Sequence, residues 1–268
     1  MIAGATLEEA RRQRLIATLI AAALVMIGCG RALQTIDFAG NPQKLVVDFG
    51  FAAISLFGAA LVIASVVQLY LVEIESGAAA AIVAKPVARS EYVVGKWIAV
   101  CTIAGLFCLV SVSVVAVLVW QASGSAPLPI LTAELAPAVV ELRGVLGAAV
   151  LQLVKLALLA AVTVAVASYA RSVGLCVMVA VVATIAGHLR LMIDEWFDAA
   201  GTGGIGRVAA WLIHVVPDLQ VFEVSDRVAR GELAVVTWPL LGAVSAYAAA
   251  YVLAAGMVAV VQFRQRDL

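Results

Sequence analysis

Lys155 is the residue whose type and position most need a chemical reason. It stands in an apolar run 12 residues after Arg143 and 16 before Arg171, roughly 18 and 24 Å along a helix rising about 1.5 Å per residue. At that depth the ammonium faces other helices, a subunit interface or a water-filled cavity, because its four-carbon stem is too short to snorkel out. Gln152, three residues earlier, shares its helix face. Two readings are open. Gln152 and Lys155 line a substrate path or gate, or they make an inter-helix hydrogen bond that fixes packing. The spans offer no carboxylate to pair with Lys155, which weighs against an ion-coupled carrier built on it.

The remaining reactive residues are scattered. His188 and His214 are isolated, and although Asp194 and Glu195 follow His188 closely, no His-x-x-x-His or His-Glu-x-x-His spacing supports a metal. Cys29, Cys101, Cys108 and Cys176 lie in apolar runs and form no Cys-x-x-Cys pair, so they read as small buried hydrophobes. The glycine cluster Gly201, Gly203, Gly204 and Gly206 lacks a following Lys-Ser or Lys-Thr, and Gly95-Lys96 lacks the upstream glycine of a phosphate loop. No nucleophile, base and acid set assembles either. The chain is therefore read as no enzyme, with no cofactor or metal of its own. If ATP drives its work, the ATPase is another polypeptide.

Composition sets the scaffold. Of 268 residues, 65% are hydrophobic and 13% charged, with zero formal net charge; soluble domains carry about a quarter charged residues. That balance belongs in a lipid bilayer and gives no sign of a nucleic-acid partner. The expected fold is an all-α membrane protein of six transmembrane helices: Leu15–Leu33, Val46–Val72, Trp97–Trp120, Gly144–Ser168, Val173–Leu191 and Leu240–Phe263. The first run is of full span length and lacks a clear cleavage site, so it reads as a span, not a signal peptide. Residues 1–14, with Thr6 and Glu9 in capping-box spacing, read as a short interfacial helix. The six-span body fills residues 15–268. Within it, residues 192–238 form the longest non-spanning region; Val208–Val216 is too short to cross and is expected to lie at the interface or re-enter. Small residues crowd the spans, notably Gly28-Cys29-Gly30 and Gly58-Ala59-Ala60, and permit close helix approach.

Between the second and third spans lies a patterned polar hinge, residues 73–96. Ala78–Ala84 favours helix, Pro86 ends it by disfavouring α geometry at Lys85, and Ser90 with Glu91 opens a second helix running through Tyr92 and Lys96 into the third span.

The order Glu73-x-Glu75-x-Gly77, then Lys85-Pro86-Val87-x-Arg89-x-x-Tyr92-x-x-Gly95-Lys96, resembles the first cytoplasmic loop of type-2 ABC transporter permeases. Ala88 stands where that family usually has Ser, and Ala78–Ala81 replaces a bulkier, Thr-containing stretch. The six-span layout, the long outer loop and the terminal Phe263-Arg264-x-Arg266-Asp267-Leu268 are similar too. The resemblance implies the permease subunit of an ATP-binding cassette exporter in a bacterial cytoplasmic (inner) membrane. The hinge would carry a coupling helix docking on a separate ABC ATPase subunit through Glu73, Glu75, Lys85, Pro86, Arg89, Tyr92 and Lys96. ATP and Mg would belong to that partner, and a second permease subunit, identical or not, would complete the path.

Charge agrees with that orientation. With the hinge and both termini on one side, nine basic residues lie there (Arg11, Arg12, Arg14, Lys85, Arg89, Lys96, Arg171, Arg264, Arg266) against seven opposite, which makes the hinge side cytoplasmic. Two other classes stay open: a membrane scaffold or assembly factor that moves no solute, and an ion-coupled secondary transporter.

Overall fold

Without water to satisfy N–H and C=O groups, a long apolar run is stable in lipid only as a helix that bonds them internally. Six such helices dominate the computed structural model, which describes residues 14–33, 42–75, 89–122, 135–170, 172–200, 216–223 and 238–265. They are α1 (Arg14–Leu33), α2 (Pro42–Val66, continuing through Val67–Leu71 and Val72–Glu75), α3 (Arg89–Ala122), α4 (Leu135–Tyr169), α5 (Val173–Ala200) and α6 (Trp238–Gln265). Each is long and apolar enough to cross a membrane, and the described residues include no strand.

The helix ends mostly follow local chemistry. Pro137 sits in the first turn of α4, where its missing N–H has no helical partner to lose. Ser172 caps α5, its Oγ accepting from the Leu175 N–H at 3.3 Å. α3 begins at Arg89 and runs unbroken through Tyr92 and Lys96, in keeping with the expected entry into the third span. The fifth helix outlasts its span, Val173–Arg190, which matches the expected one. It continues past Leu191 to Ala200, because Asp194, Glu195 and Asp198 end the apolar run without breaking a helix.

α2 holds the one feature no periodicity predicts, a π turn at Val67–Leu71. Each helical residue turns the chain by about 100°, so the extra residue in such a turn re-aims everything beyond it.

The bundle is built around α2, α3 and α4. α1 lies on α2, α6 packs chiefly on α4, and α5 touches the rest more sparsely. Accordingly 61% and 56% of the apolar windows of α2 and α4 are buried, against 22%, 22% and 17% for α1, α5 and α6. Small residues set some of the spacing. A Cβ on Gly58 of α2 would sit 3.0 Å from the Leu156 side chain of α4, whereas Gly28 of α1 faces open space.

Residues 216–223 form the other described element, ending in a 3₁₀ turn at Gln220–Phe222. The segment packs into the bundle end away from the hinge. Leu219 N–H donates to Gly187 O at 3.0 Å, Asp218 N–H to the Tyr247 hydroxyl at 2.9 Å, and Gln220 N–H to Asp218 Oδ1 at 2.9 Å. Arg190 Nη1 donates to Val216 O at 3.0 Å, and Gln220 Nε2 donates to His188 O. Non-helical backbone survives among membrane helices only with its polar groups met in this way. Pro217, Leu219 and Phe222 are buried, so the segment is anchored by apolar contact as well.

Several sequence expectations fall outside the described residues: the interfacial helix before Arg14, Lys85, Pro86 and the helix break of the hinge, the glycine cluster, and Val208–Val215.

The close approach depends on Gly187, where a Cβ would lie 2.8 Å from both Leu219 Cγ and Pro217 O. Gly187→Ala is expected to destabilise the protein by about 1–3 kcal/mol through overpacking. Gly174→Ala, on the same helix beside open space, should be neutral or up to about 1 kcal/mol stabilising. Thermal unfolding of both variants in one detergent, followed by circular dichroism, checks the contrast; equal effects would sink it.

Candidate functional site: an ion pair beside a cavity

Lys155 sits on α4 with 2% of its surface exposed. Its ammonium donates to Ser55 Oγ of α2 at 2.8 Å and to Glu223 Oε1 at 2.8 Å. The expectation that no carboxylate is available to it is therefore corrected. Glu223 belongs to a polar stretch outside the spans, but residues 216–223 fold back and carry it to the level of Lys155. A second carboxylate, Asp48, lies inside the second apolar run itself. The physical reason is the cost of an unpaired buried charge, several kcal/mol, which exceeds that of pulling one short polar segment inward.

His188 is not isolated either. Its Nε2 lies 3.2 Å from Glu223 Oε1, and its Nδ1 lies 2.8 Å from the Thr184 carbonyl of its own helix. Carboxylate and carbonyl both only accept. Glu223 thus takes two donors on one oxygen, and its carboxyl is held down at about 2, first by the His188 hydrogen bond and then by the Lys155 charge, against the opposing effect of burial.

These side chains edge a cavity of about 610 Å³ between α2, α4, α5 and residues 216–223. Its polar lining is Asp48, Ser55, Gln152, Thr184, His188 and Glu223. Its apolar lining includes Phe51, Leu56, Ile185, Leu189 and Phe222. Gln152 lies on this wall as its spacing from Lys155 predicts. It is buried, and its Nε2 has no hydrogen-bond partner.

The hinge residues form a second cluster at the opposite end. Glu73 Oε1 accepts from Lys96 Nζ at 2.5 Å and Glu73 Oε2 from the Tyr92 hydroxyl at 2.8 Å, which clamps the end of α2 to the start of α3. Tyr92 and Lys96 are 0% and 2% exposed, so in this conformation their side chains face inward. Tyr70, in the π turn, shares a 2.7 Å hydrogen bond with Ser168 of α4. Tyr92 stacks on Phe263 of α6 with ring centroids 5.3 Å apart. Four helices meet there. Glu75 closes α2 and Arg89 opens α3, while their side chains, like Lys85 and Pro86, lie outside the described ones. Among the described residues, no three His, Cys, Asp or Glu side chains gather as a metal site.

Sequence reasoning singled out Lys155 and Gln152 as polar residues among apolar ones, and Glu73, Tyr92 and Lys96 as contacts to a partner, not as the internal clamp they form in this conformation. It missed Glu223, Asp48, Ser55 and Tyr70. Asp48 was visible as a carboxylate within the second run, but nothing local marks Glu223, whose partner lies 68 positions away.

The ion pair is lopsided, with Lys155 Nζ buried and the Glu223 side chain 43% exposed. Glu223→Gln strands a buried cation, whereas Lys155→Met leaves a carboxylate that water can reach. Glu223→Gln should therefore lower stability more, towards the about 3–5 kcal/mol seen when a buried pair is broken, and the double variant should recover part of that loss. Equal single effects with no recovery would show that the pair is incidental. Because folding depresses the Glu223 carboxyl, its contribution is intact above the ordinary value of 4.5 and is lost as pH falls towards about 2. Melting temperature measured from pH 5 to pH 3 should fall in wild type through this contribution, which Glu223→Gln lacks.

No protein-family model matches the chain, and no curated protein matches it either.

Proposed function

We propose that the chain is the membrane permease subunit of an ATP-binding cassette transporter of the type-2 export class, driven by a separate ATPase. The hinge and both termini would face the cytoplasm of a bacterial cell, as the excess of basic residues on that side favours. The observation that carries the reading is the clamp Glu73–Tyr92–Lys96. It binds both helices flanking the hinge into one body, which a force-receiving loop needs if a push is to reach the bundle instead of bending the loop.

In this reading the contacts to the ATPase fall to the hinge proper, Glu75, Lys85, Pro86 and Arg89, while Glu73, Tyr92 and Lys96 act behind them as an internal brace. Tyr70, Ser168 and Phe263 extend that brace to α4 and α6. Gln152 and Lys155 line the substrate path at the other end. A second permease subunit would lie against some of the sparsely covered faces of α1, α5 and α6. Coupling free energy in this arrangement requires one element with two packings that both ends bias. α2 is that element, and its π turn is the point where its packing can change.

One observation favours a second reading. Lys155 and His188 each lie within hydrogen-bond reach of Glu223, and intramembrane acid, base and histidine groups carry protons in coupled carriers. A proton-coupled secondary transporter would use them with no ATPase.

The deciding experiment is purification of the tagged protein from its own host in mild detergent, assayed for co-purifying ATPase activity. Wild type is expected to bring an ATPase, Arg89→Glu to lose it, and Tyr92→Phe, which removes one bond of the clamp, to retain it with weaker coupling to the membrane subunit. If wild type brings none, and a pH gradient alone drives uptake or efflux in vesicles, the proton-coupled reading replaces this one.

A further inference from the structure

A second concavity runs along the flank of the bundle, where α6 leans on α4 beside α3. Small buried residues floor it, Ala161 and Val164 of α4 and Ala259 of α6. Its rims are exposed and apolar: Val94 of α3, and Leu253, Met257 and Val261 of α6. Gly256 notches one wall, with nothing within 4 Å of an added Cβ. Trp97 closes the α3 side, its indole N–H spent on Ala157 O at 3.2 Å. All these residues lie within the apolar spans. Arg264, at one end, is the one charged residue among those lining the groove.

Dimensions narrow the occupant. The α6 lining runs from Val252 to Arg264, about 18 Å of helical rise. The apolar stretch of α6 has 28 residues, about 42 Å, close to the roughly 40–45 Å of a bilayer with its headgroups. Arg264, next to its end, therefore stands at headgroup level and Val252 near the midplane. The groove has the depth of one leaflet. Its volume of about 530 Å³, spread over about 18 Å, leaves a cross-section of about 30 Å², whereas a helix about 10 Å across needs about 80 Å². That is a slot for an extended chain of methylenes, too narrow to seat another helix. Charge narrows it again. Arg264 is exposed, and a guanidinium keeps its charge and has five N–H donors, so a bond within the protein leaves others for a phosphate.

We propose that this groove holds one anionic glycerophospholipid of the leaflet on the hinge side, an acyl chain along the floor and the phosphate on Arg264. The site goes beyond the permease reading and stands without it. It borders the hinge clamp: Val93 lines the groove, and Phe263, beside Arg264 in the chain, stacks on Tyr92. The lipid thus fills the space between α3 and α6, which touch each other far less than α6 touches α4.

The test is native mass spectrometry of the full chain, delipidated in mild detergent and titrated with dioleoylphosphatidylglycerol or dioleoylphosphatidylcholine. One phosphatidylglycerol should bind saturably, about fivefold more tightly than phosphatidylcholine, the preference expected of one arginine at a membrane surface. Arg264→Gln should make the two lipids equal. Gly256→Leu puts a side chain into the slot and should weaken both about tenfold or more. Because it replaces a helix-interior glycine beside open space, it should keep or raise the melting temperature in lipid-free detergent, which separates lost binding from lost folding. Gly242→Leu, also beside open space on α6 but outside the groove, should leave binding unchanged. Arg264→Gln keeps the test decisive if Gly256→Leu folds poorly. Equal binding of the two lipids to wild type, binding indifferent to Gly256→Leu, or equal losses in Gly256→Leu and Gly242→Leu overturns the site. A change from dimer to monomer in Gly256→Leu with lipid binding intact also overturns it and makes the groove a subunit contact.

Discussion

A cation buried in an apolar bundle is the constraint from which most of this structure follows. Lys155 is almost wholly covered, and an ammonium in that setting is tolerable only with a counter-charge and hydrogen bonds. Ser55 provides one bond and Glu223 the charge. Because Glu223 belongs to no membrane-crossing helix, its backbone must come with it. That brings the backbone of residues 216–223 among the helices, where the amides of Asp218, Leu219, Gln220, Phe222 and Glu223 each find an acceptor. It also requires a glycine at position 187, where two atoms of the segment press to 2.8 Å of an added Cβ. One charge thus dictates a loop, a set of helix-to-loop hydrogen bonds and a packing residue.

The two polar clusters lie apart along the same helices, one within the spans and one at the hinge end. Ser55 precedes Glu73 by 18 residues on α2, about 27 Å of helical rise, and Lys155 and Ser168 are similarly spread along α4. Apolar packing between α2 and α4 runs the whole way, with Gly58 seated against Leu156. Close-packed interiors do not deform continuously, so motion at one end of α2 must slide or rotate the helix as a unit or be absorbed at a weak point. The π turn at Val67–Leu71 lies between the clusters, near the hinge end. Its wider hydrogen-bonding ring makes it the place where a small rotation is least costly.

Architecture was largely legible in the sequence because it rests on composition, and twenty apolar residues in a row have few alternatives to a helix. Lys155 and Gln152 were legible for the same reason, as exceptions to that composition. What could not be read was pairing. Glu223 sits in a polar stretch that resembles any outer loop, and only the folded chain brings it to Lys155. The facing of Tyr70 and Glu73 was hidden differently, since a helical wheel drawn from Val46 loses phase at the π turn. The end of α5 could not be read because hydropathy marks the end of the span, which it placed correctly, whereas the helix continues through Asp194 and Glu195 to Ala200.

One carboxylate oxygen ties these strands together. Glu223 Oε1 lies 2.8 Å from Lys155 Nζ on α4 and 3.2 Å from His188 Nε2 on α5, so a short non-helical segment joins two membrane helices. Lys155 is buried whereas the Glu223 side chain is 43% exposed, so the carboxylate is the partner with room to move. Its departure would leave a buried cation with Ser55 as its remaining described partner, a state costing several kcal/mol. Whether the work is driven by a partner ATPase or by protons, moving a solute needs a binding surface that differs between two states. Phe222 and Glu223 both line the cavity, so any displacement of residues 216–223 changes its wall and the pairing of Lys155 together.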